Sequence, residues 1–380
     1  LYETPYHLVR NRSSKPEDLK VALVHDWLTV PAGSEAVFEQ MCSLFPGAVY
    51  SSQIDVPKNK FLQGMELHPS IIQRLPWALT KHYLYAPFLP GVYHGMDMSA
   101  YDLVLSDSHS FAHGVVRRPD ALHINYYHTP ARALWVPEID KRASKTFLHK
   151  WIANRLRKLD LEASKRPDVI YANSKTTAER IWKFYKRKVD RVIFPPVNTE
   201  RWLPIEHAGD DQGLLFWGRL IDYKRVDIAI EAVRASGQTL NIVGSGPLEA
   251  ELKAMAIGMP NVHFWGRLSD EQLADLIAHS KALVFPGYED FGIVPVEAMA
   301  AGLPVVAFGA GGVTESVTSD YGVLFADQTA ESMAEAIKSL DKKTFDSAAL
   351  KNHARSFDVS RFRREYKEAV LQAIEEHKSK

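Results

Sequence analysis

Ten short runs rich in apolar residues, most separated by helical stretches, constrain this chain more than any other feature. Four lie in the first half: Val21–Asp26, Leu103–Ser106, Ala121–Tyr127 and Val169–Asn173. Six lie in the second: Leu214–Trp217, Leu240–Val243, Val262–Trp265, Ala282–Phe285, Val305–Ala307 and Val323–Phe325. Runs this compact read as strands buried on both faces of a parallel sheet. Two strand–helix series imply an α/β chain with two doubly wound, Rossmann-like domains. A Pro- and Asp-rich connector from Pro195 to Gly213 separates them. The expected division is an arm at 1–19, a first domain at 20–200, a second at 201–358 and a terminal stretch at 359–380. Within that stretch Arg361–Lys378 is a charged amphipathic helix, expected to pack back on the first domain.

A length of 380 residues suits two domains. Lys+Arg and Asp+Glu both number 46, which disfavours a nucleic-acid partner. The balance hides an asymmetry: residues 1–200 carry a net +7 and residues 201–380 a net −7. Different partners for the two halves follow. The single cysteine, Cys42, excludes a disulfide framework and a Cys-rich zinc site. No apolar run reaches the ~18 residues that span a bilayer, and no signal-peptide pattern opens the chain at Leu1. A reducing, cytoplasmic setting is expected.

The candidate chemistry sits just after the strands, where doubly wound sheets bind ligands. Gly218-Arg219-Leu220 follows one strand, with Lys224 and Arg225 in the same loop. An Arg fork and a Lys point charge suit a diphosphate; a solvated basic loop is the plainer alternative. Gly244-Ser245-Gly246-Pro247 begins like a dinucleotide fingerprint, but Glu249 stands where the third glycine belongs. A dehydrogenase is rejected on that mismatch, leaving a tight turn that lets backbone approach a ligand.

The most informative stretch is Pro286–Gly302, PGYEDFGIVPVEAMAAG. A loop leads into a helix around Pro295, with Glu289 before it and Glu297 in its first turn. The N–H groups of Gly292, Ile293 and Val294 can receive an anion at that helix start. The two acids read as acceptors for sugar hydroxyls flanking the anion, or as a capping acid and a surface acid. Gly309–Glu315 reads as a flexible loop into a helix, forming a second wall. His128 ends a strand of the first half, followed by Arg132. His109 and His113 lack the Glu of a zincin motif, and no GxSxG elbow is present. No DxD pair ends a strand, so the acids of a metal-bridged diphosphate are missing. No cofactor and no metal are expected.

GRL…YK, VGSGP and EDFGIVPVEAMAAGLPVV together resemble the retaining glycosyltransferases of family 4, over roughly Lys20 to Glu376. His25-Asp26-Trp27-Leu28, YYHTPARALW and YANSKTTAERI resemble the O-antigen mannosyltransferase branch. Many members carry Gly-Gly in the first loop; this chain has Ala32-Gly33. The resemblance implies a GT-B fold, two Rossmann-like domains facing a cleft. It implies that Arg219 and Lys224 hold the donor diphosphate, Glu297 the ribose and Glu289 the hexose. Gly33, Gly218, Gly244, Phe291, Gly292, Ile293 and Val294 complete the donor contacts, and Arg267 and Leu268 border the base. His128 would touch the transferred sugar, and His128 with Arg132 the acceptor. The resemblance implies a catalytic set of Arg219, Lys224, Glu289 and His128 and a GDP-mannose donor, with a UDP-hexose as alternative.

Residues 141–160 hold Lys141, Arg142, Lys145, Lys150, Arg155, Arg157 and Lys158 against Asp160, with Phe147, Trp151, Ile152 and Leu156 as an apolar stripe. Such a helix suits the inner face of an anionic membrane and a lipid-diphosphate-linked saccharide acceptor, in cell-surface polysaccharide synthesis; a packed helix with a solvated face is the alternative. A nucleotide-sugar epimerase and a non-catalytic sugar-nucleotide-binding protein are the rival classes.

Overall fold

The computed structural model describes residues 18–136, 147–208 and 212–379. The arm, apart from Asp18 and Leu19, and the cations Lys141, Arg142 and Lys145 fall outside them.

Seven parallel strands form the first sheet: β1 (Val21–His25), β2 (Ala48–Ser51), β3 (Leu67–Pro69), β4 (Leu103–Ser108), β5 (Leu122–Tyr127), β6 (Val169–Ala172) and β7 (Arg191–Val192). Their order is β3-β2-β1-β4-β5-β6-β7. Every residue of β1, β4 and β5 is buried, as a sheet covered on both faces requires. The second sheet holds β8 (Leu214–Trp217), β9 (Leu240–Val243), β10 (Val262–Gly266), β11 (Ala282–Phe285), β12 (Val305–Phe308) and β13 (Gly322–Phe325). It runs β10-β9-β8-β11-β12-β13, also all parallel. Both orders reverse direction once, between β1 and β4 and between β8 and β11. A crevice opens at such a reversal.

The ten predicted strands are all present. β2, β3 and β7 add to them; β3 and β7 are outer strands of only three and two residues, too short for a periodic signal. Gly309–Glu315 leads into a single 3-10 turn, Gly312–Glu315, rather than a helix.

The chain crosses between domains twice, side by side. Val197 bridges Asp358 in parallel, and the Thr199 hydroxyl donates to the Asp358 carboxylate at 2.7 Å. Beyond the second crossing, the helix Val359–Lys378 lays Phe362, Tyr366, Val370 and Ile374 into the first domain's core with Leu23, Phe38 and Tyr126. The Tyr171 hydroxyl donates to the carbonyl of Ala369 at 2.8 Å, and Arg363 donates to Gln40 and Ser43. Among the described residues, no helix is long and apolar enough to cross a membrane.

Candidate active site

The loops after β8 and β11, flanking the second sheet's reversal, carry three of the predicted residues and pair two of them. Lys224 is buried, and its ammonium pairs with the Glu289 carboxylate. It also lies 5.3 Å from the centre of the Phe285 ring. Arg219 is exposed, its guanidinium 3.5 Å from the Tyr223 hydroxyl. Backbone packing forces glycine at two neighbouring turns. A Cβ at Gly244, whose φ is +128°, would run into the carbonyl oxygen of Gly218. One at Gly287 would lie 2.7 Å from the carbonyl oxygen of Tyr223.

The predicted helix start also forms. Gly292 takes φ +92° and leads into Ile293–Ala300, whose N-terminus no side chain caps. Phe291 is buried, whereas Ile293 and Val294 are partly open. Gly33, at the start of the first domain's helix Gly33–Leu44, meets this point from the other side: a Cβ there would lie 2.9 Å from Ile293 Cδ1. Two predicted donor residues from opposite domains are therefore in contact.

Glu297 is half-buried beside the first domain crossing. Burial raises its carboxyl above the usual range, against the opposing pull of Arg201, the indoles of Trp202 and Trp217, and Lys224. Both tryptophans are more than nine-tenths buried. Neither is among the predicted site residues: Trp217 ends a predicted strand and Trp202 falls in the connector. Arg267 donates to the Ser245 hydroxyl at 3.0 Å, tying the loop after β10 to the loop after β9, and Leu268 packs on the second domain's core.

The first sheet's reversal gathers a cluster of ionisable groups. The β1–β4 register places His25 opposite Asp107, and His25 Nδ1 lies 3.0 Å from the Asp107 carboxylate. The other oxygen of Asp107 lies 2.6 Å from His128 Nε2. Burial alone would lower His25, but hydrogen bonds to Asp107 and Glu35 raise it to about 10. Burial would raise Asp107; the charges of His128 and His25 bring it down to about 2. Asp26 accepts from four successive backbone N–H groups, His109 to Ala112, at 2.6–2.8 Å. That fixes the loop after β4 against the end of β1.

Arg132, expected near the acceptor, is held by the second domain. Its guanidinium donates to Asp290, next to Glu289, and stacks 5.0 Å from the Tyr223 ring centre. Arg180 pairs with the other oxygen of Asp290 and lies over the Tyr288 ring. Glu315 accepts from the backbone N–H groups of Lys175 and Thr176, the first turn of the helix Lys175–Tyr185. These contacts join the domains beside the candidate donor site. Asp290 and Arg180 carry no local sequence signal for this, because the relationship exists only once both domains are folded.

Residues 198–357 match the family model of glycosyl transferases group 1. D-rhamnosyltransferase WbpZ of Pseudomonas aeruginosa is 37% identical over 127 residues, 31% of this chain and 32% of that protein. O-antigen chain mannosyltransferase C of Escherichia coli is 27% identical over 241 residues, 59% of this chain and 60% of that protein. The matched portions thus span from a third to three-fifths of these relatives. The solved structure of HepE from Anabaena, in complex with UDP, superposes with a TM-score of 0.68 at 18% identity, covering 93% of this chain and all of that one. At that identity the likeness speaks for the fold, which is GT-B.

Proposed function

We propose that this chain, a group 1 glycosyl transferase by its residues 198–357 and GT-B by its fold, transfers a hexose with retention from a nucleoside diphosphate sugar to a saccharide acceptor. The observation that carries the reading is the Lys224–Glu289 pair near an uncapped helix start, with Arg219 in the same loop as Lys224 and against Tyr223.

Cleaving the bond between sugar C1 and the diphosphate oxygen places negative charge on the leaving group and positive charge on the ring. Lys224, Arg219 and the N–H groups at Ile293 and Val294 stabilise the leaving diphosphate as fixed cations and dipoles, as an oxyanion hole does. Two cations do here the work for which other sites use a metal, and the reading therefore includes no metal requirement. The acceptor oxygen attacks C1 on the face the diphosphate leaves, and its proton passes to the departing phosphate oxygen. Glu289 accepts hydrogen bonds from hexose hydroxyls once the diphosphate draws Lys224 toward itself. Glu297, between two indoles, takes the ribose hydroxyls, and His128, held by Asp107, faces the sugar.

Mannose from GDP-mannose is the proposed donor, supported by the O-antigen mannosyltransferase relative and the first-half motifs that resemble that branch. A D-rhamnosyl donor is the second reading, favoured by the WbpZ relative. The proposed acceptor is a lipid-diphosphate-linked saccharide at the inner face of the membrane. A donor panel of GDP- and UDP-sugars, scored by nucleoside diphosphate release with and without cell-lipid extract, tests the whole reading. Release from GDP-mannose that rises with the extract is expected. A free epimerised sugar without acceptor, or binding without release, selects a rival class.

A further inference from the structure

The mechanism leaves unused the largest concentration of exposed apolar side chains in the described residues. Ile71, Leu75, Trp77, Tyr83, Leu84 and Phe88 are 43–66% exposed and fall within eighteen consecutive positions of the first domain. Scattered single apolar residues are ordinary on a surface; a cluster of this density marks an interaction site.

The segment is built rather than loose. Ile72, Ala78 and Leu89 anchor it with at most 3% exposure. The Tyr85 hydroxyl donates to the Pro76 carbonyl at 2.6 Å, and the Lys81 N–H to the Trp77 carbonyl at 2.7 Å. Trp77 itself sits at φ +57°, a conformation that L residues rarely adopt and that the surrounding turn imposes. The fold thus spends backbone strain while holding a large aromatic ring in water.

Charge identifies the partner. No Asp or Glu occurs between Glu66 and Asp97, whereas Arg74 and Lys81 are both exposed within the segment. Lys81 Nζ lies 5.6 Å from the Trp77 ring centre. The helix Phe147–Ala163 packs on the same core cluster through Ile152 and Leu156, and exposes Lys150, Arg155 and Lys158. An acid-free segment of exposed aromatic and aliphatic groups with its own Arg74 and Lys81, sharing a core with a helix that exposes three more cations, matches an anionic bilayer interface, where rings sit at headgroup depth.

We propose that Ile71–Phe88 is a wedge that seats the first domain on an anionic membrane, with Trp77 and Phe88 as its inserted anchors. The proposal deepens the lipid-linked acceptor reading by placing membrane contact on this segment, not on the helix at 141–160 alone. Its test reads lipid binding with no donor present, so it can fail while glycosyl transfer stands.

The experiment is flotation of the full chain with vesicles of phosphatidylcholine, with and without about 30% phosphatidylglycerol. The wild type is expected to float with the anionic vesicles and to be released by high salt. Trp77→Ser/Phe88→Ser should lower binding at least ~10-fold, since two buried anchors are lost. Trp182→Ala, which removes a Trp that is 61% exposed on another helix, should leave it unchanged. The Trp77 contribution to the emission, taken as the difference between the wild type and Trp77→Phe, should shift to the blue on binding. Equal loss from Trp151→Ala with no loss from the double variant would overturn the wedge in favour of the basic helix. Lipid-free dimerisation abolished by the double variant, with no vesicle binding, would overturn it in favour of a second copy of the chain.

Discussion

Lys224 and Glu289 form an ion pair between the loops that follow β8 and β11, the two strands flanking the reversal of the second sheet. A buried lysine needs a counter-ion, and Glu289 supplies it. On the proposed reading the pair is a placeholder for the donor: a diphosphate would take over the lysine and free the carboxylate for sugar hydroxyls.

The two glutamates should separate by ligand. Hydrogen bonds to a charged group are worth ~1.5–3 kcal/mol each. Glu297→Ala should therefore weaken free GDP by roughly 10- to 100-fold, because GDP has a ribose and no hexose. Glu289→Ala should leave GDP affinity near that of the wild type and slow sugar transfer. Calorimetry with GDP beside single-turnover transfer reads both. Loss of GDP affinity from Glu289→Ala with retention in Glu297→Ala reverses the assignment.

Asp290 should be a joint between the domains. It is paired with Arg132 and Arg180 and is buried. Asp290→Ala leaves two guanidinium groups facing one another without their carboxylate, which should cost ~3–5 kcal/mol of stability by analogy with broken buried pairs. Arg132→Met/Asp290→Leu, which removes opposite charges together, should recover part of it. Urea denaturation measures both; equal stability of Asp290→Ala and wild type would show that the knot contributes nothing.

Stability should peak near pH 6.5. Burial holds His109 down to about 4 and His123 down to about 3, so both stay neutral in the fold. Below their ordinary value of 6.5 the unfolded chain takes up those protons first. Stability should then fall with pH by up to ~1.4 kcal/mol per unit for each histidine. His25, held at about 10 by Asp107 and Glu35, works in the opposite sense. Its contribution is complete below 6.5 and is lost as pH rises through 10. Denaturant midpoints from about pH 5 to 9.5 should trace a dome, with the acid side flattened by His123→Gln. A monotonic rise or fall would contradict these assignments.

If Arg219 and Lys224 serve the leaving group as proposed, turnover should persist in excess EDTA. Loss of activity in chelator, restored by magnesium or manganese, would show that the cations do not suffice.

Much of this arrangement was legible before folding, for a physical reason. Strands buried on both faces must be continuously apolar, so VALVH, LLFW and ALVF announce themselves. Doubly wound sheets place ligands at strand ends, which directs attention to Arg219, Lys224 and Glu289. Relationships between distant segments were not legible. Nothing local tells Arg132 that it will meet Asp290, or Gly33 that it will meet Ile293. Trp217 reads only as the end of a buried strand and Trp202 only as part of a connector, and their position beside Glu297 emerges with the fold. The His25–Asp107–His128 alignment follows from strand register, which short parallel strands do not encode in their own pattern.

The central claim is that the chain cleaves a nucleoside diphosphate sugar using Arg219 and Lys224. Its most direct test is nucleoside diphosphate release from GDP-mannose, with lipid extract as acceptor, by wild type, Arg219→Ala and Lys224→Ala in parallel. The account predicts steady release by wild type and rates at least ~10²-fold lower in each variant, the usual consequence of removing one donor to a developing anion. Near-wild-type release by both variants, or no release from any GDP- or UDP-sugar by the folded wild type, would contradict it.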